Sequence, residues 1–166
     1  MTDPWLVQLL GVAAALVGVS SYLQARDTVF KLQVGLSSWI WGAHLGLLGA
    51  GSAMFTQFAI GTRSWCSIGK RSARYRHGLF WISTAAFTLL AWLGWDGWIS
   101  LPPLAAAINS TAALVYADNR MMRIRLLISS ALWIGTGLYW QSWSMVLTEF
   151  VAVVLNLRTI LRLRTA

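Results

Sequence analysis

The chain has 166 residues, of which 57 % are hydrophobic and 11 % are charged, whereas about 25 % of the residues in a soluble domain are charged. This composition excludes an ordinary soluble domain and indicates a membrane protein. In a soluble protein, a net charge of +8 would suggest binding to nucleic acid. Here the basic residues flank apolar segments, which is the expected signal of membrane topology. We therefore expect a lipid bilayer and no nucleic acid as partner.

Seven apolar segments follow one another along the chain, each close to the length that spans a bilayer as a helix. In chain order, helices 1 to 7 are predicted at residues 5–23, 30–49, 52–67, 78–95, 99–117, 122–140 and 143–161. The connections are too short to hold an extramembrane domain. The sequence therefore predicts an all-α membrane protein with seven transmembrane helices.

The basic residues lie almost entirely on one side of these helices. They fall between helices 1 and 2, 3 and 4, and 5 and 6, and at the end of helix 7: Arg26, Lys31, Lys70, Arg71, Arg74, Arg76, Arg120, Arg123, Arg125, Arg158, Arg162 and Arg164. The opposite connections contain no Lys or Arg but are rich in tryptophan. By the positive-inside rule, we expect the N-terminus outside and the C-terminus in the cytoplasm.

A weak internal repeat relates the two halves of the chain. SSWIWGAHLGLLGAGSAMFTQF, at 37–58, aligns with SSALWIGTGLYWQSWSMVLTEF, at 129–150, with an offset of 92 positions. Helices 1 to 3 then correspond to helices 5 to 7, and the single helix 4 gives both triplets the same orientation. We expect one membrane domain, 1–166, built as a parallel 3+1+3 repeat. Its parts are the first triplet, 1–71, the linker helix, 72–96, and the second triplet, 97–166.

The chain resembles the YgjV family of bacterial inner-membrane proteins along nearly its whole length. The resemblance rests on the order and spacing of WLVQLLGVAAALVGVSSYLQARD, GAHLGLLG, PLAAAINSTAALV and TEFVAVVLNL. More remotely, the three-helix bundles of that family are similar to those of SWEET and PnuC transporters, which move small sugars or vitamin precursors. The resemblance implies a multi-pass protein of the bacterial inner membrane.

Polar side chains within the spans are the best functional candidates, because a polar group at membrane depth must be paired or hydrated. Glu149 is the only acid within a predicted helix, and its repeat mate is Gln57. We interpret Glu149 as a group for substrate or proton binding, or as a helix-packing residue. Arg63 on helix 3 either forms an ion pair or gate with Glu149 or extends its long side chain to the cytoplasmic surface.

Three further kinds of side chain are candidates. Paired tryptophans near the bilayer centre can stack on a flat ligand or pack helices, and asparagines can bond a solute or another helix. The histidine in GAHLG is a pocket donor, a gate or a packing residue. We expect a substrate-binding site made of Trp41, His44, Gln57, Asn109, Trp133, Glu149 and Asn156.

The expected function is a small-molecule transporter or facilitator, with a central site between two triplets that move alternately. The sequence contains no phosphate loop, carboxylate pair, nucleophile with a base, or metal-ligand spacing, so we expect no enzyme, no metal and no other cofactor. The solute class is a vitamin precursor, nucleoside or sugar, and a homo-oligomer is left open. The alternative is a non-transporting sensor or accessory subunit, which a sealed apolar interior would favour.

Overall fold

The computed structural model describes residues 4–21, 24, 26–69, 71–117 and 119–162, and the predicted basic residues Lys70 and Arg164 lie outside these ranges. The described residues form no strand. They form α1 Pro4–Ser21, α2 Asp27–Leu47, α3 Gly51–Cys66, α4 Ala73–Leu93, α5 Leu101–Tyr116, α6 Asn119–Tyr139 and α7 Trp143–Arg162, with a 3-10 helix at Gly97–Ser100. The prediction of an all-α chain with seven helices is confirmed.

The helix boundaries lie close to the predicted ones, with one larger difference at the start of α4. This helix begins at Ala73 rather than at residue 78, because Ser72 caps it. The Ser72 hydroxyl accepts a hydrogen bond of 3.2 Å from the Tyr75 amide, which satisfies one of the free N–H groups of the first turn. The helix therefore includes the basic segment 73–77, which the apolar pattern leaves outside predicted helix 4.

Six helices form a closed ring, and α4 lies outside it. Around the ring, α1 packs against α2, α2 against α3, α3 against α5, α5 against α6, α6 against α7, and α7 against α1, whereas α4 packs against α3 and α5. Short connections make successive helices antiparallel. One end of the bundle, the basic end, therefore carries residues such as Arg26, Arg71 and Arg120, and the other, the tryptophan end, carries Trp5 and Trp98.

Small residues allow the helices to approach closely. Ala14, Ala53 and Ala106 are fully buried between ring helices, and the glycines at the tryptophan end bring α4 against α3. A Cβ atom added to Gly94 would lie 2.6 Å from the carbonyl carbon of Gly51. Close backbone contact of this kind is typical of helix packing in membranes.

The outer surface of the bundle is strongly apolar. Leu16, Ile82 and Leu147 are 68, 71 and 68 % exposed, which is unfavourable in water and suits the hydrocarbon of a bilayer. By length and composition, Gly97–Tyr116 and Trp143–Leu161 can cross a membrane, and Trp5–Ser21 is a shorter apolar helix. The other four helices contain more polar residues or are shorter. The fold is consistent with a helical membrane protein, and the count of seven spans stays a prediction.

Candidate functional site

A cavity of about 200 Å³ lies inside the helix ring. All six ring helices contribute to its wall, and no described residue of α4 does. The lining residues are Gly18, Val19, Ser21, Val34, Ser37, Ser38, Trp41, Gln57, Ile60, Ser110, Leu126, Ser129, Ser130, Trp133, Thr148, Glu149, Val151, Ala152 and Asn156. A cavity of roughly 150 Å³ can hold benzene, so the space suits a solute about as large as one ring.

Most of the surface of this cavity is apolar, but its wall also contains a group of polar side chains. Serine and threonine hydroxyls surround it, two carboxamides and one carboxylate face it, and the indoles of Trp41 and Trp133 complete the wall. The two tryptophans are only 6 and 5 % exposed, so they belong to the interior and not to an aromatic belt. Five of the seven hydroxyl groups already donate to backbone carbonyls, so they can only accept from a ligand. The carboxamides can donate and accept, and the indoles can stack on a ligand.

Glu149 and Gln57 face the same cavity from α7 and α3. The Glu149 carboxyl group is hydrogen-bonded with the Ser130 side chain of α6, and Gln57 is 6 % exposed. The two side chains thus present a carboxylate and a carboxamide to one space.

Arg63 does not join this group. Its side chain is 8 % exposed, its Nε atom has no hydrogen-bond partner in the structure, and it does not line the cavity. Two alternatives were open for Arg63: an ion pair with Glu149, which the described residues do not form, and extension to the cytoplasmic surface, which the low exposure of the side chain does not fit. Six residues beyond Gln57, Arg63 is rotated by about 120° around the helix axis, which turns it away from the cavity.

The two candidate asparagines have different positions. Asn156, 3 % exposed, lines the cavity, and its Oδ1 atom accepts a hydrogen bond of 3.1 Å from Arg123 Nη1. Asn109 lies outside the lining. Its amide nitrogen donates to the Arg125 carbonyl at 2.7 Å and to Ser129 Oγ at 2.9 Å. Asn109 therefore joins α5 to α6, which is the helix-packing alternative for this residue.

His44 lies outside the cavity wall, toward the tryptophan end. It is fully buried, and its ring bonds α1 and the α6–α7 turn at once. Nδ1 donates to the Val7 carbonyl at 2.7 Å, since a carbonyl oxygen can only accept, and Nε2 bonds Ser142 Oγ at 2.7 Å. We call these three residues, Val7, His44 and Ser142, the His44 latch.

The His44 latch separates the cavity from an open depression at the tryptophan end. This depression, of about 470 Å³, is lined by Val7, Gln8, Leu47, Leu48, Tyr139, Trp140, Gln141 and Trp143. On its other side, the His44 ring packs against Trp41, with 5.3 Å between ring centroids. Val7 thus belongs to the depression and Trp41 to the cavity, with the histidine between them.

Sequence reasoning missed the hydroxyl groups of the site and the position of Arg123. Ser37, Ser38, Ser129 and Ser130 line the cavity, and they are identities in the repeat, so the alignment contained the signal. Arg123 was assigned only to membrane topology. In the part of the chain that the structure describes, no group of His, Cys, Asp or Glu that could hold a metal ion occurs.

The helix ring, its apolar exterior and the central cavity define a class, that of helical membrane proteins with an internal cavity that contains polar side chains. Residues 5–166 match the Imp-YgjV family, described as "Bacterial inner membrane protein", and the chain belongs to this family. It is 27 % identical over 137 residues to "Inner membrane protein YgjV" of Escherichia coli (strain K12), an alignment that covers 81 % of this chain and 71 % of that protein. No solved structure matches the chain. The expected location in the bacterial inner membrane is confirmed.

Proposed function

We propose that the protein is a small-molecule transporter or facilitator, without enzymatic activity, and that the cavity inside the helix ring is its substrate site. The observation that carries the proposal is the chemistry of the wall. A polar interior is unfavourable in an apolar bundle unless its groups are paired or hydrated. Two carboxamides and a carboxylate around one central space, together with hydroxyl oxygens that can accept, are suited to a solute with polar groups, in contrast to the sealed apolar interior expected of an accessory subunit.

The cavity wall supports the parallel 3+1+3 repeat as part of this proposal. An offset of 92 positions relates seven pairs of lining residues: Gly18 and Ser110, Val34 and Leu126, Ser37 and Ser129, Ser38 and Ser130, Trp41 and Trp133, Gln57 and Glu149, and Ile60 and Ala152. The contact of α1 with α7 has its counterpart in that of α5 with α3. A pseudo-two-fold axis along the membrane normal would pass through the cavity.

The proposed mechanism is alternating access. With the N-terminus outside, the tryptophan end faces outward, and the His44 latch closes the cavity on that side. On α1 the lining residues, Gly18, Val19 and Ser21, all belong to the last turn, so the cavity extends toward the basic, cytoplasmic end. Opening to the outside would require the bond between His44 on α2 and Ser142 before α7 to break, which a relative movement of the triplets would do.

A ligand screen followed by uptake tests this proposal. The purified full-length protein is heated with nucleosides, vitamin precursors, sugars and amino acids, since a ligand of the folded state raises the unfolding temperature. Any stabilising solute is then offered to liposomes that contain the protein. We expect both a thermal shift and uptake.

Two variants at neighbouring positions provide a test of the cavity and its control. Ser38→Phe fills the cavity and should abolish the shift, whereas Trp39→Phe changes a partly exposed side chain outside the wall and should keep it. Stabilising solutes that never enter liposomes would contradict transport and favour the sensor or accessory role.

A further inference from the structure

The cavity wall contains one ionisable side chain, that of Glu149. No Lys, Arg or His of the described ranges lines the cavity, and no described basic residue forms an ion pair with Glu149. Its hydrogen bond comes from the uncharged Ser130 side chain. The Arg123 guanidinium bonds Asn156, about two helical turns from Glu149 along α7, and forms no ion pair with the carboxylate. A carboxylate in an apolar surrounding is costly without a charge beside it, and a bound cation can supply that charge.

The aromatic part of the wall selects the kind of cation. The indole of tryptophan attracts a cation to its face more strongly than other aromatic rings do, and it does so best where water is excluded. Trp41 and Trp133 are both almost fully buried and both line the cavity. The wall also offers the oxygen atoms that a small inorganic ion prefers, but such an ion would not fill a cavity of about 200 Å³ or use two indole faces, so the two indoles favour an organic cation.

Charge and volume limit the ligand further. Behind the wall, the Arg123 guanidinium bonds Asn156, and this positive charge disfavours a second charge on the ligand near the basic end. A volume of about 200 Å³ matches one aromatic ring or one quaternary ammonium group with a short substituent. Gln57 and Asn156 offer carboxamides to the remaining polar groups of such a molecule.

We propose that the cavity binds an organic monocation of about the size of one ring, with Glu149 as its counter-charge and Trp41 and Trp133 as its aromatic contacts. This inference rests on the proposed function, because it names the substrate class of the same cavity. It is nevertheless tested by binding alone, without transport.

The experiment compares cations with neutral molecules of the same shape. Binding of choline and of 3,3-dimethyl-1-butanol to the purified full-length protein is measured by calorimetry in detergent, and 1-methylnicotinamide is compared with 3-methylbenzamide in the same way. Sodium chloride keeps the ionic strength constant. We expect each cation to bind about ten- to a hundredfold more tightly than its neutral counterpart, because the charge is attracted by the Glu149 carboxylate and by the faces of two indoles.

Three variants assign the effect to Glu149. Glu149→Gln should remove the preference for the cation, and Asp96→Asn, which removes an acid that caps α3 outside the cavity, should retain it. The exchange variant Gln57→Glu with Glu149→Gln moves the carboxylate to the other side of the same cavity and should restore the preference. It also serves as the folded reference if Glu149→Gln alone is unstable.

The failures of the two proposals are distinguishable. Equal binding of cations and neutral counterparts, an unchanged preference in Glu149→Gln, or stabilisation by sodium ions alone would overturn the cation site. If neutral solutes bind and enter liposomes, the transport proposal stands and the cation site is wrong. If cations bind with the expected preference but are not transported, the cation site is correct and the transport proposal fails.

Discussion

Ser37 and Ser129 donate matching hydrogen bonds to neighbouring helices. Ser37 Oγ donates to the Ala14 carbonyl at 2.8 Å, which joins α2 to α1, and Ser129 Oγ donates to the Ala106 carbonyl at 3.1 Å, which joins α6 to α5. The two donors are 92 positions apart, and so are the two acceptors. These two interhelical hydrogen bonds occupy equivalent positions in the two halves of the chain, and they therefore support the proposed repeat.

Alanine at these serines should destabilise the fold by unequal amounts. Ser37→Ala removes one interhelical bond, which costs about 0.6 kcal/mol on average in a membrane protein. Ser129→Ala should cost more, because Ser129 also accepts a bond from Asn109. The unfolding temperature in detergent measures both, with Thr62→Ala as control, since Thr62 is exposed and bonds only within its own helix. Equal losses in all three variants would contradict the prediction.

The paired tryptophans should affect ligand binding, whereas a nearby tryptophan should not. Trp133→Leu removes part of the cavity wall and should abolish the thermal shift given by any ligand found in the screen. Trp39→Leu also loses aromatic packing, against Phe58 and Trp65, so it should lower the unfolding temperature while it keeps the ligand-dependent shift. A full shift in Trp133→Leu would exclude this residue from the site.

Loss of the His44 latch should open the cavity toward the tryptophan end. Cys66 is the only cysteine, so Cys66→Ser gives a background in which Ser38→Cys is a single probe in the cavity wall. A membrane-impermeant maleimide, added to the periplasmic side, should label this probe faster when His44→Ala is also present. His77→Ala, at the exposed start of α4, is the matched control and should leave the rate unchanged.

The proposed orientation can be read from fusions at the two chain ends. A reporter that is active only in the cytoplasm should work at the C-terminus and not at the N-terminus, because the basic connections lie on the cytoplasmic side of a membrane protein. Measured reporter activity, normalised to the amount of each fusion, tests this. The reverse pattern would invert the direction of access proposed above.

The seven helices could be predicted from the sequence because each apolar segment is nearly long enough to span a bilayer. The alignment of the two halves also paired Trp41 with Trp133, and both residues line the cavity. The direction in which a side chain points around its helix was harder to predict. These helices are apolar on most sides, so the pattern gives depth but not the inward face. For this reason the sequence left open whether Asn109 binds a solute or another helix, and whether Arg63 pairs with Glu149 or extends to the surface. The contact of His44 with Ser142 could not be predicted, because the two residues are distant in the chain.

The position of α4 outside the ring has a consequence for the charge of the site. Two parallel copies of a three-helix chain could close the same ring as a homodimer, but each wall position would then carry the same residue twice. Two glutamates would repel each other, and two glutamines would leave the centre neutral. A covalent connection through α4 allows Gln57 and Glu149 to occupy one cavity, so that, if the proposed repeat holds, the wall carries a single negative charge.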